Sequence, residues 1–334
     1  MTDAPAGLDV AAGASSPRPH RPLRWWPIAA ALFALLTVAY CLATEWVGIW
    51  GSHPAYRITL LTVTLWSLAL LFWGWWNSPA KRRGRLRTWG LRAVLVVATF
   101  STVAGVLYLR PLSADQVAID ALRSGNGVTV MTHGGLIRLQ PDAPKVTGLV
   151  FYPGAKVDPR AYGRILRPIA EAGYPVVIVE FPFNLAVFGI RDANAVVGAD
   201  DLVTQWVVGG HSLGGAMAAS YATDERDELA GLLLWAAYPA ASMAERAGLD
   251  VLSVSGTKDG LATPADIEGS KSDLPPDARF VAVEGGIHAF FGDYGAQSGD
   301  GSPTISRTDA QSQIIAATLE QLDRLEAALA PADA

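Results

Sequence analysis

The stretch Val207–Ala222, VVGGHSLGGAMAASYA, carries the reading of this chain. Trp206, Val207 and Val208 form a short apolar run, the length of a buried strand rather than of a helix. A glycine turn bearing one serine follows, then a segment of small residues suited to a helix packed close against a sheet. Gly210-His211-Ser212-Leu213-Gly214 thus has the form G-x-S-x-G between a strand and a helix. A turn this sharp strains the serine backbone, and side chains at Gly210 and Gly214 would collide where strand and helix approach. It raises the Ser212 hydroxyl above the sheet and aims the first N–H groups of the helix at the same point.

Apolar strands alternate with helices on both sides of this turn. Strands are expected at Thr147–Pro153, Pro175–Phe181, Trp206–His211, Gly231–Pro239, Val251–Thr257 and Arg279–Gly285. Helices are expected at Ala161–Ala172, Ala186–Val196, Leu213–Thr223, Pro264–Lys271 and Thr308–Leu329. Continuous apolar strands separated by helices imply an α/β fold, a mostly parallel sheet with helices on both faces. Upstream, VTVM and LIRLQ flank the turn THGG as a hairpin, and Ser113 and Gln116 have the spacing of a capping box opening a short helix. Ligands of such sheets lie at the carboxyl ends of the strands, so the residues just after each strand are the informative ones.

A serine alcohol is a weak nucleophile without a base. With this turn, the base is expected later in the chain and an acid between the two. His288 is the only histidine that follows Ser212, in the loop after the last strand. Asp259 lies two residues beyond Thr257, at a carboxyl end, while Asp266 falls in an expected helix and Asp250 precedes its strand. A carboxylate there would fix the imidazole tautomer and stabilise the imidazolium. Two backbone N–H groups are expected to face a developing oxyanion: that of Leu213, and that of Ala155 in the turn after Pro153-Gly154. The catalytic set expected is Ser212, Asp259 and His288, with Gly210, His211 and Gly214 forming the elbow.

Five segments together resemble a known group: FYPGAKVDPRAY from Phe151, GGHSLGGAMAA from Gly209, LLLWAAYPA from Leu232, SGTKDG from Ser255 and GGIHAFFGDYGAQSGDG from Gly285. They are similar to the bacterial alpha/beta-hydrolase family related to dienelactone hydrolases, over about Thr147 to Leu322. The resemblance implies the alpha/beta-hydrolase fold and a triad of Ser212, Asp259 and His288. Dienelactone hydrolases carry cysteine where Ser212 stands. The activity expected is that of a serine hydrolase cleaving an ester or related acyl bond through an acyl-enzyme. An acyltransferase with the same triad and an inert hydrolase-fold binding protein are the alternatives. No cofactor and no metal is expected; Asp293 and Asp300 lie in a glycine-rich loop but lack the ordered acid spacing of a calcium loop.

The front of the chain differs in kind. Up to residue 112 it holds eleven Lys and Arg against three acids, and nine of the eleven tryptophans; the remainder holds fifteen Lys and Arg against twenty-eight acids. The acidic rear excludes nucleic acid as a partner, which calls for a basic face. One cysteine, Cys41, excludes an internal disulfide and a cysteine-based zinc site. Three apolar runs, Trp26–Thr44, Ile58–Trp76 and Leu91–Leu109, each have about the 20 residues that cross a bilayer. Basic residues before the first run and from Lys81 to Arg87 place those segments in the cytoplasm. The expected organisation is a disordered cytoplasmic N-terminus at 1–24, a membrane domain with three transmembrane helices at 25–112, and a hydrolase domain at 113–334 on the extracytoplasmic side. Its partners are expected to be the cell membrane and a small-molecule or lipid-like ester.

Overall fold

Uninterrupted apolarity makes helices of the front. In a computed structural model, α1 spans Trp25–Thr44, a short α2 spans Trp46–Gly51, α3 spans Ala55–Trp76 and α4 spans Arg85–Tyr108. The structure describes residues 25–76, 85–200, 202–224 and 228–329; the expected disordered segment 1–24 and the basic residues Lys81, Arg82 and Arg83 lie outside these. By length and composition, α1 and α3 qualify to cross a membrane. The expected third span does not qualify on the same terms. Among the described residues its apolar part is a shorter helix, Arg92–Tyr108.

The front helices share one apolar seam. Ala34, Val38 and Cys41 of α1, Leu60 and Val63 of α3, and Val103 and Val106 of α4 are buried against one another. The Tyr56 hydroxyl donates to the Val106 carbonyl at 2.8 Å. Cys41 is a free, fully buried thiol, packed as a small apolar side chain.

Behind the front comes α5 (Gln116–Asp120), then a hairpin of β1 (Val128–His133) and β2 (Leu136–Pro141). Alternation follows: β3 (Thr147–Tyr152), α6 (Gly163–Glu171), β4 (Val176–Val179), β5 (Gln205–His211), α7 (Leu213–Ala222), β6 (Leu229–Trp235), β7 (Asp250–Gly256), α8 (Pro264–Gly269), β8 (Arg279–Val283) and α9 (Arg307–Leu329). The eight strands form one sheet in the order β1-β2-β4-β3-β5-β6-β7-β8. Only the β1–β2 and β2–β4 pairs are antiparallel. Period-2 alternation then sorts side chains between two cores. Phe151, Val207, Leu233 and Trp235 face α6, α8 and α9. Val150, Val208, Leu232 and Leu234 face α7 and the 186–197 segment.

Two local expectations fail, each for a tertiary reason. Ser113 does not cap α5; its hydroxyl donates to Glu45 Oε2 at 2.6 Å and accepts the Gly48 N–H at 3.1 Å, both at the start of α2. The helix expected over Ala186–Val196 is two separate 3₁₀ turns, Ala186–Phe188 and Asp192–Ala195. The Tyr152 hydroxyl enters between them, donating to the Ile190 carbonyl (2.8 Å) and accepting the Ala193 N–H (3.0 Å), groups a continuous helix would have kept for itself.

Candidate active site

Strand β5 lies between β3 and β6, so its carboxyl end opens onto the middle of the sheet. There the chain turns from His211 into α7 through Ser212, whose backbone has φ 53° and ψ −125°. A non-glycine residue in that region is strained, and such strain persists only where the surroundings hold it. The Ser212 N–H donates to the Trp235 carbonyl at 2.9 Å. A methyl group at Gly210 would lie 2.5 Å from the Tyr152 carbonyl oxygen, and one at Gly214 would strike the carbonyls of Tyr152 and Pro153. The close approach expected of these glycines is therefore present, with β3 as the neighbour they make room for.

Asp259 and His288 meet. The loop after β7 is sewn to the loop after β8: Thr257 N–H bonds the Val283 carbonyl and Lys258 N–H bonds the Gly286 carbonyl. This brings Asp259 Oδ2 to 2.8 Å from His288 Nδ1, with both side chains out of solvent. The second carboxylate oxygen accepts the N–H groups of Leu261 and Ala262, each at 2.8 Å. A carboxylate so held keeps the imidazole proton on Nδ1 and leaves Nε2 as an acceptor. His288 Nε2 is buried and has no hydrogen-bond partner. The elbow is its neighbour: the His211 ring lies 4.5 Å, centroid to centroid, from that of His288. Ser212 itself remains partly exposed.

Ala155 follows β3, and Leu213 opens α7. The N–H groups on either side of Ala155 are spoken for: Gly154 donates to the Tyr162 hydroxyl (2.8 Å), and Lys156 to the Asn184 carbonyl (2.8 Å). Among the described residues the N–H groups of Ala155 and Leu213 have no acceptor.

Several supports were not legible in the sequence. His211 Nδ1 lies 2.9 Å from the Tyr162 hydroxyl, which already accepts from Gly154. Burial, and then the neighbouring His288, hold the His211 imidazole well below its ordinary range, so it stays neutral. Burial likewise raises the Tyr162 phenol, leaving a hydroxyl fit to donate. Asp300 fastens the His288 loop: Oδ1 accepts the N–H of His288 (3.1 Å) and Gly301 (2.7 Å), and Oδ2 that of Ala289 (2.8 Å). Asp293 is held by Arg164 (3.2 Å) and by Gln311 (3.2 Å). Among the described residues no group of three or more His, Cys, Asp or Glu is arranged to hold a metal ion. Asp266 caps α8 through Thr263, and Asp250 pairs with Arg279 and Arg324 at the far edge of the sheet. Lys156 turns away from the elbow and sets its ammonium 4.6 Å from the Tyr108 ring.

Comparison with known proteins gives the same domain. The model of the alpha/beta hydrolase family matches residues 148–312. No curated protein sequence matches the chain. Among solved structures, TT1662 from Thermus thermophilus is 16% identical, with a TM-score of 0.45, covering 59% of this chain and 98% of its own. A dienelactone-hydrolase-like protein from Klebsiella pneumoniae is 18% identical, with a TM-score of 0.44, covering 58% and 98%. A monoacylglycerol lipase from Paleococcus ferrophilus is 14% identical, with a TM-score of 0.44, covering 58% and 99%. The family match spans β3 to the first turn of α9, the strands run in a mostly parallel sheet, and the elbow sits between β5 and α7; the domain behind the helical front belongs to the alpha/beta hydrolase family.

Proposed function

We propose that this protein is a membrane-anchored serine hydrolase that cleaves ester or related acyl bonds. One observation carries the reading: a buried Asp259–His288 pair leaves Nε2 without a partner, with the His288 ring against His211, the residue that precedes a strained, partly exposed serine. In the proposed cycle, His288 Nε2 takes the proton of Ser212 Oγ as the oxygen attacks the acyl carbon. Asp259 stabilises the imidazolium that results. The N–H groups of Ala155 and Leu213 hold the oxyanion. Collapse expels the alcohol, which takes the proton from Nε2, and leaves an acyl-serine. A water molecule then repeats the sequence, returning the serine and releasing the acid. Esters suit this site better than amides, whose amine leaving groups need more exactly placed protonation.

The anchor is part of the same proposal. α1 and α3 cross the membrane, and α4 crosses beside them as a shorter helix with Arg92 near its cytoplasmic end, where a long side chain reaches the interface. The basic segments then lie in the cytoplasm and the hydrolase domain outside. Packing of Val103 and Val106 of α4 into the seam of α1 and α3 supports this. A reporter fused after Ala334 that works only in the cytoplasm would reverse the orientation.

The enzymatic reading is tested by a fluorophosphonate probe and p-nitrophenyl esters. The intact chain is expected to take up one probe per molecule at Ser212, and Ser212→Ala to lose labelling and at least about 10³-fold in kcat. Labelling that persists in Ser212→Ala, or its absence from the wild-type chain, overturns it.

A further inference from the structure

In the turns after β3 and β4, three non-glycine residues have left-handed backbones: Lys156 (φ 64°), Phe183 (φ 57°) and Asn184 (φ 53°). They are joined. Gly154 to Val157 form a β-turn closed by the Val157 N–H on the Gly154 carbonyl (3.1 Å), with Lys156 at its third position. A left-handed residue there favours glycine, so a lysine must be held in place from outside. The holding groups come from the helical front. The Lys156 N–H bonds the Asn184 carbonyl, and the Asn184 side chain, 3% exposed, donates to Ser52 Oγ at 3.1 Å, in the loop between α2 and α3. Phe183 packs against the apolar seam of α1, α3 and α4. On the other side the Leu112 N–H bonds the Lys156 carbonyl (2.8 Å), directly after α4, and the Tyr108 ring covers the Lys156 ammonium. Arg160, just beyond the turn, donates to the Val47 carbonyl of α2 at 2.7 Å.

We infer that Asn184 is a positioning residue for the acyl-transfer step, and that the loop between α2 and α3 holds the Ala155 donor in place through it. This rests on the serine-hydrolase reading. A packed interface between two domains needs no strained residue; here two consecutive left-handed positions at one end of the link answer a third inside the donor turn. The Asn184 Oδ1 is buried without a partner, so the side chain is kept for its one donated bond and for the tolerance of asparagine for this backbone. The link acts on the transition state, where the oxyanion forms, and not on the resting ester. Its loss therefore lowers kcat and spares KM.

The test uses the full chain in detergent micelles, with active sites counted by fluorophosphonate titration, and leaves every group of the proposed site intact. Ser52→Ala is expected to lower kcat per titrated site by about tenfold with KM within about twofold, below the cost of deleting a donor outright. Ser52→Thr, which keeps the hydroxyl, is expected to restore it. A merely structural bond would change the number of active sites and leave kcat per site alone. Amide hydrogen exchange of residues 154–157 gives an answer free of turnover: faster exchange of the Lys156 N–H in Ser52→Ala, reversed in Ser52→Thr, supports the link. Wild-type kcat per site together with wild-type exchange in Ser52→Ala overturns it. If the wild-type chain shows no turnover, the hydrolase reading fails on its own, and the exchange comparison still decides whether the front holds the turn.

Discussion

The helical front and the hydrolase domain are both rich in apolar residues, yet they satisfy their polar groups in opposite ways. In the front, most of the hydroxyl bonds of serine and threonine within the helices are local, while Tyr56 of α3 reaches the Val106 carbonyl of α4. Thr37, Thr44, Thr59, Thr62, Thr64, Ser67 and Thr99 each donate to the carbonyl four residues earlier. In the domain behind, the buried polar groups that matter reach across the chain, as Asp259 does to His288 and Tyr162 to His211. The apolar side chains differ too. Leu36, Phe72 and Trp75 of the front are more than three-fifths exposed, whereas Phe151 and Trp235 are fully buried. The lesson concerns solvent. A helix that meets its own hydrogen-bonding needs and turns large apolar side chains outward suits the membrane proposed for it, whereas a sheet that buries both faces makes its own apolar interior.

This contrast breaks if the two regions answer mutation alike. Phe151→Ala, which empties a fully buried ring site touching Tyr162 and Trp235, is expected to cost about 3–5 kcal/mol of unfolding free energy. Phe72→Ala in detergent is expected to cost less than about 0.5 kcal/mol, since its ring faces the surrounding medium. Denaturant melts of the two variants make the comparison, and equal losses would mean that the front is an ordinary water-soluble core.

A smaller effect sharpens the point about polar networks. Asp300→Ala removes the acceptor of four N–H groups, those of Gly260, His288, Ala289 and Gly301, and is expected to cost about 2–3 kcal/mol. Ester turnover should fall with it, because the imidazole loses its mounting; unchanged turnover would show that Asp259 alone places the ring.

The smallest effect is a pH slope. In the fold His211 binds its proton less readily than in the unfolded chain, so below about pH 6.5 the unfolded state holds more protons and stability falls with pH. The loss is expected to approach about 1.4 kcal/mol per pH unit on the acid side of 6.5. Melts of the wild-type chain and of His211→Gln, from pH 7.5 to 5.5, measure it; the glutamine variant should show the shallower slope, and equal slopes would remove His211 as the cause.

Much of the domain could be read from local pattern. All six expected strands are present within a few residues of their expected ends, and the elbow glycines stand where strand and helix crowd. Asp259 and His288 were legible because a parallel sheet delivers the ends of its strands to one edge, so position after a strand stands in for position in space. Asp300 was visible only as an acid in a glycine-rich loop; nothing local says which N–H groups it meets. The Ala186–Val196 segment has the composition of a helix, and the hydroxyl of Tyr152, thirty-odd residues upstream, breaks it into two turns. The short α2 gave no usable signal, since Trp46–Gly51 is held by Ser113 and Arg160 rather than by a pattern of its own.

By itself the amino-acid sequence determined what depends on period and spacing: apolar runs as strands or long helices, a glycine turn carrying Ser212, and acid and base following it at strand ends. The tertiary structure alone decided what depends on a distant partner: which acceptor Ser113 chose, which nitrogen of His288 stays free, and how a strained turn at Lys156 is held by residues from the helical front. The physical reason is range. Backbone conformation and side-chain alternation are settled over a few residues, whereas a buried hydrogen bond is settled by whichever group the fold brings within 3 Å.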